Sequence, residues 1–434
     1  MYRVLHIGEY VKGGVATYLH ILFQAPAEEL EQFLLLSRDN SDQTWELPAS
    51  HVRFYDYQRG LRYLPAALRA VRCAVRDWQP DIVYCHSSWA GAFGRAALAG
   101  LTPRPRVLYN AHGWAFLRDT ADWKQDIYAW VERWLARRTD AIICVSRYEY
   151  DSALSRALPA KKLKLVYSGL PEDGTQSESD TQTAEQAGFV LPAAGHEMTL
   201  SAKEIHLLFI GRWDPPKGLD LLLTAFLACP RPDLRLYVLG AGVVEQGDAR
   251  SQQLQHLVQR AREDQRITFV GWVEHADLAQ WYAACDAVIM PSRWEAFGLV
   301  AAEALQHARP VLASTRGALP ELIHEGENGH LFTLERTSAD CGTAVVDAAD
   351  ADTLDMPTLG QLLAQLNKAE LQGLRVAART SYEQHYTATH LWRNMMEIYS
   401  ALPTMGGRTD NCTVQFIHSH AECIACAAYE SVAA

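Results

Sequence analysis

The chain has 434 residues, 49% hydrophobic and 21% charged: too long for one ordinary core and too apolar for a disordered protein. Its net charge of −11 divides into +5 over residues 1–170 and −16 over the remainder. A basic first half of that size suits an anionic surface or substrate but falls short of what general nucleic-acid binding asks for.

The opening MYRVLHIGEYVKGGV lacks the basic start and apolar run of a signal peptide. No run of about 18 uninterrupted apolar residues follows anywhere, so no membrane-spanning helix is expected and the cytoplasm is the default compartment. Along residues 1–170, Arg3–Ile7, Phe33–Ser37, Val52–Tyr55, Ile82–His86, Val107–Asn110, Ile142–Ser146 and Leu163–Ser168 read as strands. Their near-continuous Val/Ile/Leu/Tyr composition is what a parallel sheet covered on both faces requires. The intervening segments, such as Gly60–Trp78 and Trp123–Arg138, carry apolar residues at helical spacing. Alternating strands and helices predict an α/β, doubly wound, Rossmann-like domain over 1–170. Within it, Arg59, Arg62, Arg69, Arg72 and Arg76 interleave with Leu61, Leu64, Leu68, Val71 and Val75. This basic amphipathic helix, 59–78, is either a solvated face over an ordinary core stripe or a peripheral membrane contact.

Residues 171–202 are polar and Pro/Gly-bearing, and read as a linker or long surface loop. A second alternating series follows, with strands at His206–Gly211, Arg235–Leu239, Ile267–Val270, Ala287–Pro291 and Val311–Ser314, giving a second Rossmann-like domain over 203–387. Residues 334–358 are a polar insertion, and 376–402 return to a helical pattern. Cys73, Cys85, Cys144, Cys229 and Cys285 sit in apolar runs and read as buried thiols of a reducing compartment. The tail 403–434 carries His418, His420, Cys423 and Cys426, ligand types suited to zinc, but no strand or helix pattern to hold a site; it is expected to be poorly ordered.

Two doubly wound sheets place strand C-termini on both sides of one cleft, so chemistry is expected in the loops that follow strands. Four such loops carry candidates. Gly13-Gly14 precede a helix, and paired glycines there either let backbone N–H groups approach a phosphate or simply make the turn. Gly211-Arg212-Trp-Asp-Pro-Pro-Lys217-Gly218 offers a guanidinium and an ammonium to a diphosphate. Pro291-Ser-Arg-Trp-Glu295-Ala-Phe297-Gly298-Leu299-Val-Ala-Ala-Glu303 puts one carboxylate on a loop, a second on an apolar helix, and a helix start between them. Asn110-Ala-His112-Gly113 sets a histidine at a strand end, where it can donate to a substrate hydroxyl.

Taken with the following Arg309-Pro-Val-Leu-Ala-Ser314 and Gly317-Ala-Leu-Pro-Glu-Leu-Ile323, these motifs resemble glycosyltransferase family 4, the group 1 enzymes of GT-B fold. The resemblance covers most of residues 1–335 and a closing helix at 388–402 that packs back toward the first domain. It implies that Arg212 and Lys217 hold the diphosphate of a nucleotide-sugar donor and that Glu303 binds the ribose hydroxyls. It gives Glu295 the transferred sugar, with backbone help from Phe297, Gly298 and Leu299. Gly14, beside Gly13, would approach the β-phosphate, His112 the sugar near the reacting centre, and the loop at Trp272 and Val273 the base. The activity implied is metal-independent and retaining, without a bound cofactor, moving a sugar to a glycan, lipid-linked or other hydroxyl acceptor in polysaccharide or glycoconjugate synthesis. The lack of a DxD-like pair at a strand end agrees with the metal-free expectation. Where the family often has Asn-Gly after the last strand of the first domain, this chain has Ser168-Gly169. A nucleotide-sugar epimerase or hydrolase on the same fold, or a degenerate scaffold, are the alternative readings; a nicotinamide dehydrogenase lacks its glycine fingerprint.

Overall fold

A computed structural model describes residues 1–402 except 27, 59–60, 173–189, 194–195, 200, 243–248 and 335–355. The Cys/His tail and the body of the 334–358 insertion therefore lie outside the described residues.

Two parallel sheets organise the chain. The first contains β1 (Tyr2–Gly8), β2 (Leu30–Ser37), β3 (Val52–Tyr55), β4 (Ile82–His86), β5 (Arg106–Asn110), β6 (Ala141–Cys144) and β7 (Leu163–Leu165), in the order β3-β2-β1-β4-β5-β6-β7. Helices α1 (Gly14–Phe23), α2 (Leu64–Trp78), α3 (Ser88–Ala97), α4 (Asp122–Ala136) and α5 (Arg147–Ser155) connect them. Both faces are covered, which is why every residue of β4 is buried and why the strands read as apolar runs rather than alternating ones.

A short antiparallel hairpin, β8 (Val190–Ala193) with β9 (His196–Thr199), follows inside the segment expected to be a linker. The second sheet contains β10 (Ile205–Ile210), β11 (Leu234–Leu239), β12 (Ile267–Gly271), β13 (Ala287–Met290), β14 (Val311–Ser314) and β15 (Gly329–Phe332), in the order β12-β11-β10-β13-β14-β15. It is wound by α6 (Leu219–Ala228), α7 (Ala249–Ala261), α8 (Leu278–Ala284), α9 (Leu299–Gln306) and α10 (Leu319–Leu322). Strand β15 was not expected: Gly-His-Leu-Phe is too short and too mixed to announce itself, and only its pairing with β14 makes it a strand.

In each sheet the winding reverses once, between β1 and β4 and between β10 and β13. A crevice opens at such a switch point outside the strand C-termini, and ligands of doubly wound sheets bind there. The loops after β1, β4, β10 and β13 are therefore the places to look.

The helical stretch 376–402 is two helices, α11 (Arg375–His385) and α12 (Ala388–Ala401), divided at Tyr386-Thr387 where the Thr387 hydroxyl caps the second. The chain crosses between the sheets at this point. Leu170 N–H donates to Tyr386 O at 2.8 Å and Ala388 N–H to Leu170 O at 2.7 Å. A Cβ on Gly169 would lie 2.4 Å from the Thr387 carbonyl oxygen, so the Ser168-Gly169 crossing admits no side chain at its second position. Helix α12 then lies against α1, where Trp392 Nε1 donates to Ile21 O at 2.8 Å and Leu391, Met395 and Tyr399 join Tyr18 and Ile21 in one buried cluster. Among the described residues no helix is long and apolar enough to cross a membrane.

Candidate active site

The loop after β10 and the loop after β13 are tied together. Arg293 N–H donates to Pro216 O at 2.8 Å, and its guanidinium pairs with Asp220 at 2.8 Å. Gly218 has φ +69, and a Cβ there would come within 1.9 Å of Pro291 O; only glycine lets the two loops touch. The Lys217 ammonium is thereby placed on Glu295, with Nζ 2.7 and 3.0 Å from the two carboxylate oxygens. Ser292 Oγ donates to Glu295 Oε1 at 2.8 Å. Glu295 is 7% exposed, so this is a nearly buried carboxylate answered by a cation and a hydroxyl. Gly317, at φ +62, lies against the Glu295 backbone, and Ala318 N–H donates to Glu295 O at 3.1 Å, which fixes the loop from its other side.

Three residues on, Gly298 adopts a left-handed conformation at φ 101 and opens α9. The helix start leaves N–H groups without intrahelical acceptors, as at any helix N-terminus. The Phe297 ring is buried between Tyr167 and Tyr386, so only its backbone can serve a ligand. Glu303 is buried on α9, where Tyr282 of α8 donates to it (Oη–Oε2 2.7 Å), and burial raises its pKa above the ordinary carboxylate value.

Arg212 departs from the expected convergence. Its side chain is more than half exposed and pairs with Asp214 at 2.7 Å rather than with the Lys217–Glu295 group. Trp272 and Val273 follow the edge strand β12; Trp272 is exposed, with its indole N–H on Glu274.

The first sheet meets this group at two points. A Cβ on Gly14, at the start of α1, would sit 3.1 Å from Leu299 Cδ1, so the paired glycines of one sheet face the α9 start of the other. Gly13, the residue before α1, has φ 56 and open space around it. Just after β5, His112 takes φ 50 and is followed by Gly113 at φ 120, where a Cβ would strike Trp294 at 2.6 Å. Trp294, beside Glu295, thus lies over the His112-Gly113 turn. The halves are also joined where the Glu321 carboxylate of α10 accepts from the Arg147 and Tyr148 N–H groups at the start of α5, at 2.7 and 2.6 Å.

Behind His112 runs a chain of imidazoles. His112 Nε2 lies 2.9 Å from His86 Nδ1, and His86 Nε2 lies 3.1 Å from His6 Nδ1. His6 lies within β1, His86 ends β4, and His112 follows the end of β5 by two residues. Burial holds His6 and His112 neutral, with pKa values lowered to about 3, and pushes His86 down as well, helped by its two neighbours. Neutral imidazoles carry one N–H each, so the tautomer of His112 is coupled to those of His86 and His6.

Of the residues singled out in the sequence, Lys217 and Glu295 are paired and Gly14 faces Leu299, whereas the neighbours Ser292, Tyr282, Trp294, His86 and His6 were not singled out there. Ser292 stands three residues before Glu295, a local spacing that was readable. Tyr282, His86 and His6 are joined to their partners only by the sheet register and helix packing.

Residues 13–169 match the glycosyl transferase 4-like domain family and residues 204–350 the family "Glycosyl transferases group 1". An uncharacterised 41.2 kDa protein of a cps region in Klebsiella pneumoniae is 30% identical over 355 residues, spanning 81% of this chain and 90% of that protein. The chain is a member of the group 1 glycosyltransferases. As such it is also 26% identical over 402 residues to a glycogen synthase of Mycobacterium tuberculosis, covering 83% and 87% of the two chains. In fold it is similar to Anabaena Alr3699/HepE, solved in complex with UDP-glucose, with a TM-score of 0.69 at 22% identity over 93% of this chain and 100% of that one. The two-sheet architecture is accordingly GT-B.

Proposed function

We propose that this group 1 glycosyltransferase is retaining and metal-independent, and that it moves a sugar from a nucleoside-diphosphate donor to a hydroxyl of a glycan or lipid-linked acceptor. The observation that carries the reading is the Lys217–Glu295–Ser292 group, set beside the α9 start and facing Gly14 across the seam. A donor laid along that seam would place its diphosphate at Lys217, Gly14 and the N–H groups of Gly298 and Leu299, where the helix dipole favours negative charge. Arg212, free to swing from Asp214, would add a second cation as charge develops on the leaving group. Glu295 would accept from hydroxyls of the transferred sugar, and Glu303 from those of the ribose. Trp272 and Val273 would border the base. A neutral His112 at the opposite wall would hydrogen-bond the sugar rather than repel or protonate it. Retention and freedom from metal follow from the family resemblance, with the leaving diphosphate taking the acceptor proton on the same face.

Thermal shift against UDP, GDP and ADP sugars identifies the donor. Turnover of that donor should persist in excess EDTA, and NMR of the product should show the donor's anomeric configuration preserved. An inverted linkage would remove the retaining assignment, and metal-rescued loss in EDTA the metal-free one.

A further inference from the structure

Helix α4 (Asp122–Ala136) presents an apolar face that nothing in the chain covers among the described residues. Trp123 is 62% exposed, Ile127 48%, Trp130 60% and Trp134 44%. At 100° per residue these four positions fall within roughly 60° of arc, so they form one stripe running the length of the helix. The opposite face is conventional: Gln125, Ala129, Glu132, Leu135 and Ala136 are buried, with Glu132 held by Arg95 at 3.0 Å and by Tyr109. The stripe is therefore additional to what the helix needs for packing. Four large apolar side chains left in water on one helix are costly unless they have another environment.

The charges around the stripe indicate which environment. Lys124 lies over the Trp123 ring at 5.5 Å and Arg138 over the Trp134 ring at 5.0 Å, each cation flanking an exposed indole. The end of the helix gathers further cations: Arg137 and Arg138 are exposed, Lys162 Nζ donates to Ala136 O at 2.9 Å, and Arg104, itself paired with Asp140, donates to Arg138 O at 3.1 Å. The acids of the exposed side are Asp122 and Asp126, and Asp126 is tied to Arg156 at 2.7 Å. Indole rings with cations at their edges suit the boundary between headgroups and acyl chains, where the ring is buried and its N–H stays polar.

By contrast, the basic helix α2 has its apolar residues turned inward. Ala67, Val71, Ala74 and Trp78 are buried, and Tyr63, Leu64, Leu68 and Val75 pack against the same cluster. Its arginines offer charge without an anchor.

We propose that the α4 stripe is a docking surface for an anionic lipid bilayer, with Trp123, Ile127, Trp130 and Trp134 inserted at headgroup depth and the cations at the α4 C-terminus on lipid phosphates. It would hold the first domain at the membrane.

The test is flotation of the full chain with vesicles of phosphatidylcholine containing phosphatidylglycerol, free of any sugar lipid, so that the surface is examined apart from the transfer reaction. Wild type should float. Trp123→Ser with Trp130→Ser should lose roughly tenfold or more in vesicle affinity, while melting and donor turnover in solution stay unchanged, because both side chains lie outside the core. Raised salt should weaken binding, as should omission of phosphatidylglycerol. No flotation of wild type, or equal flotation of the tryptophan variant, overturns the proposal. So does loss of flotation in Arg69→Gln/Arg76→Gln alone, which would put the contact on α2. A wild-type dimer by light scattering that the tryptophan variant dissociates, without vesicle binding, would identify the occupant as a second copy and overturn it too.

Discussion

Lys217 is engaged within the protein itself. An ammonium has three donors, and two of them point at the Glu295 oxygens, 2.7 and 3.0 Å away. A diphosphate arriving at Lys217 must share or displace that pair. Two unit charges about 4 Å apart attract by about 4 kcal/mol at an effective dielectric constant near 20. Lys217 keeps 24% of its side chain in solvent, so about 2 kcal/mol is the portion we assign to competition with the ligand. Removing Glu295 should then release the cation toward phosphate. Glu295→Ala is expected to bind a nucleoside diphosphate, which lacks the transferred sugar, as tightly as wild type or up to about thirtyfold tighter, while turnover of the full donor collapses. Lys217→Ala should weaken the same ligand by roughly 10- to 100-fold, the loss of a charge-assisted contact of about 1.5–3 kcal/mol. The double variant should match Lys217→Ala, because Glu295 acts on the diphosphate only through Lys217. Isothermal titration of the four proteins with UDP, or with whichever nucleotide the thermal screen selects, measures the cycle. If Glu295→Ala weakens the diphosphate as much as Lys217→Ala does, and the effects add, the carboxylate is itself part of the phosphate site and the division of roles is wrong.

The buried imidazoles make stability depend on acid. His6, His86 and His112 are neutral when folded and regain an ordinary pKa near 6.5 when unfolded, so the unfolded chain alone takes up protons as pH falls from about 6.5 toward 3. Each contributes up to about 1.4 kcal/mol of lost stability per pH unit in that window; denaturant midpoints at about pH 7.5 and 5.5 should differ, and His6→Gln/His86→Gln should narrow the gap. Gly218→Ala forces a Cβ onto Pro291 O and should cost about 1–3 kcal/mol with a matching loss of donor affinity, read by melting and titration. An unchanged variant would mean that the two loops part easily. Tyr282→Phe strips the hydrogen bond from the buried Glu303 carboxylate, and nucleoside binding should weaken by about 1–3 kcal/mol in titration with little change in the rate of bound donor.

What could be read from the sequence was whatever depends on local order. The strands β3, β4 and β14 are found to the residue because their apolar runs end in turn residues, and Glu295 and Glu303 are legible because a loop and one helix carry both. Registers were not legible. His6, His86 and His112 lie 80 and 26 residues apart, and only the pairing β1–β4–β5 brings their rings together. The break of the last helical stretch was hidden because Thr387 extends the apolar stripe only as a cap, and its cause is distant: the 168–170 crossing occupies the space at Thr387. The basic helix 59–78 keeps two readings in the sequence, a solvated face over a core stripe or a membrane contact, because periodicity cannot tell which face is buried.

The two carboxylates of the Glu-x7-Glu segment invite comparison with the acid–nucleophile pair of a retaining glycosidase, and their environments argue against it. A nucleophilic carboxylate needs an oxygen open to the anomeric carbon, with a second carboxyl group across the scissile bond. Both oxygens of Glu295 face the Lys217 ammonium, and one also accepts from Ser292, so both are engaged and the carboxylate's direction is fixed. Glu303 lies in the α8–α9 packing against Tyr282, enclosed rather than exposed to an acceptor. The difference is open to a direct chemical test. If Glu295 attacked the sugar, Glu295→Ala would leave a gap that azide could fill, and azide would restore cleavage of the donor while releasing a glycosyl azide of inverted configuration. If Glu295 only holds sugar hydroxyls, azide has no carboxylate to replace and the variant should remain inactive in its presence, with donor affinity reduced. Appearance of the inverted azide by NMR would reinstate the double-displacement route and overturn the holding role assigned to Glu295.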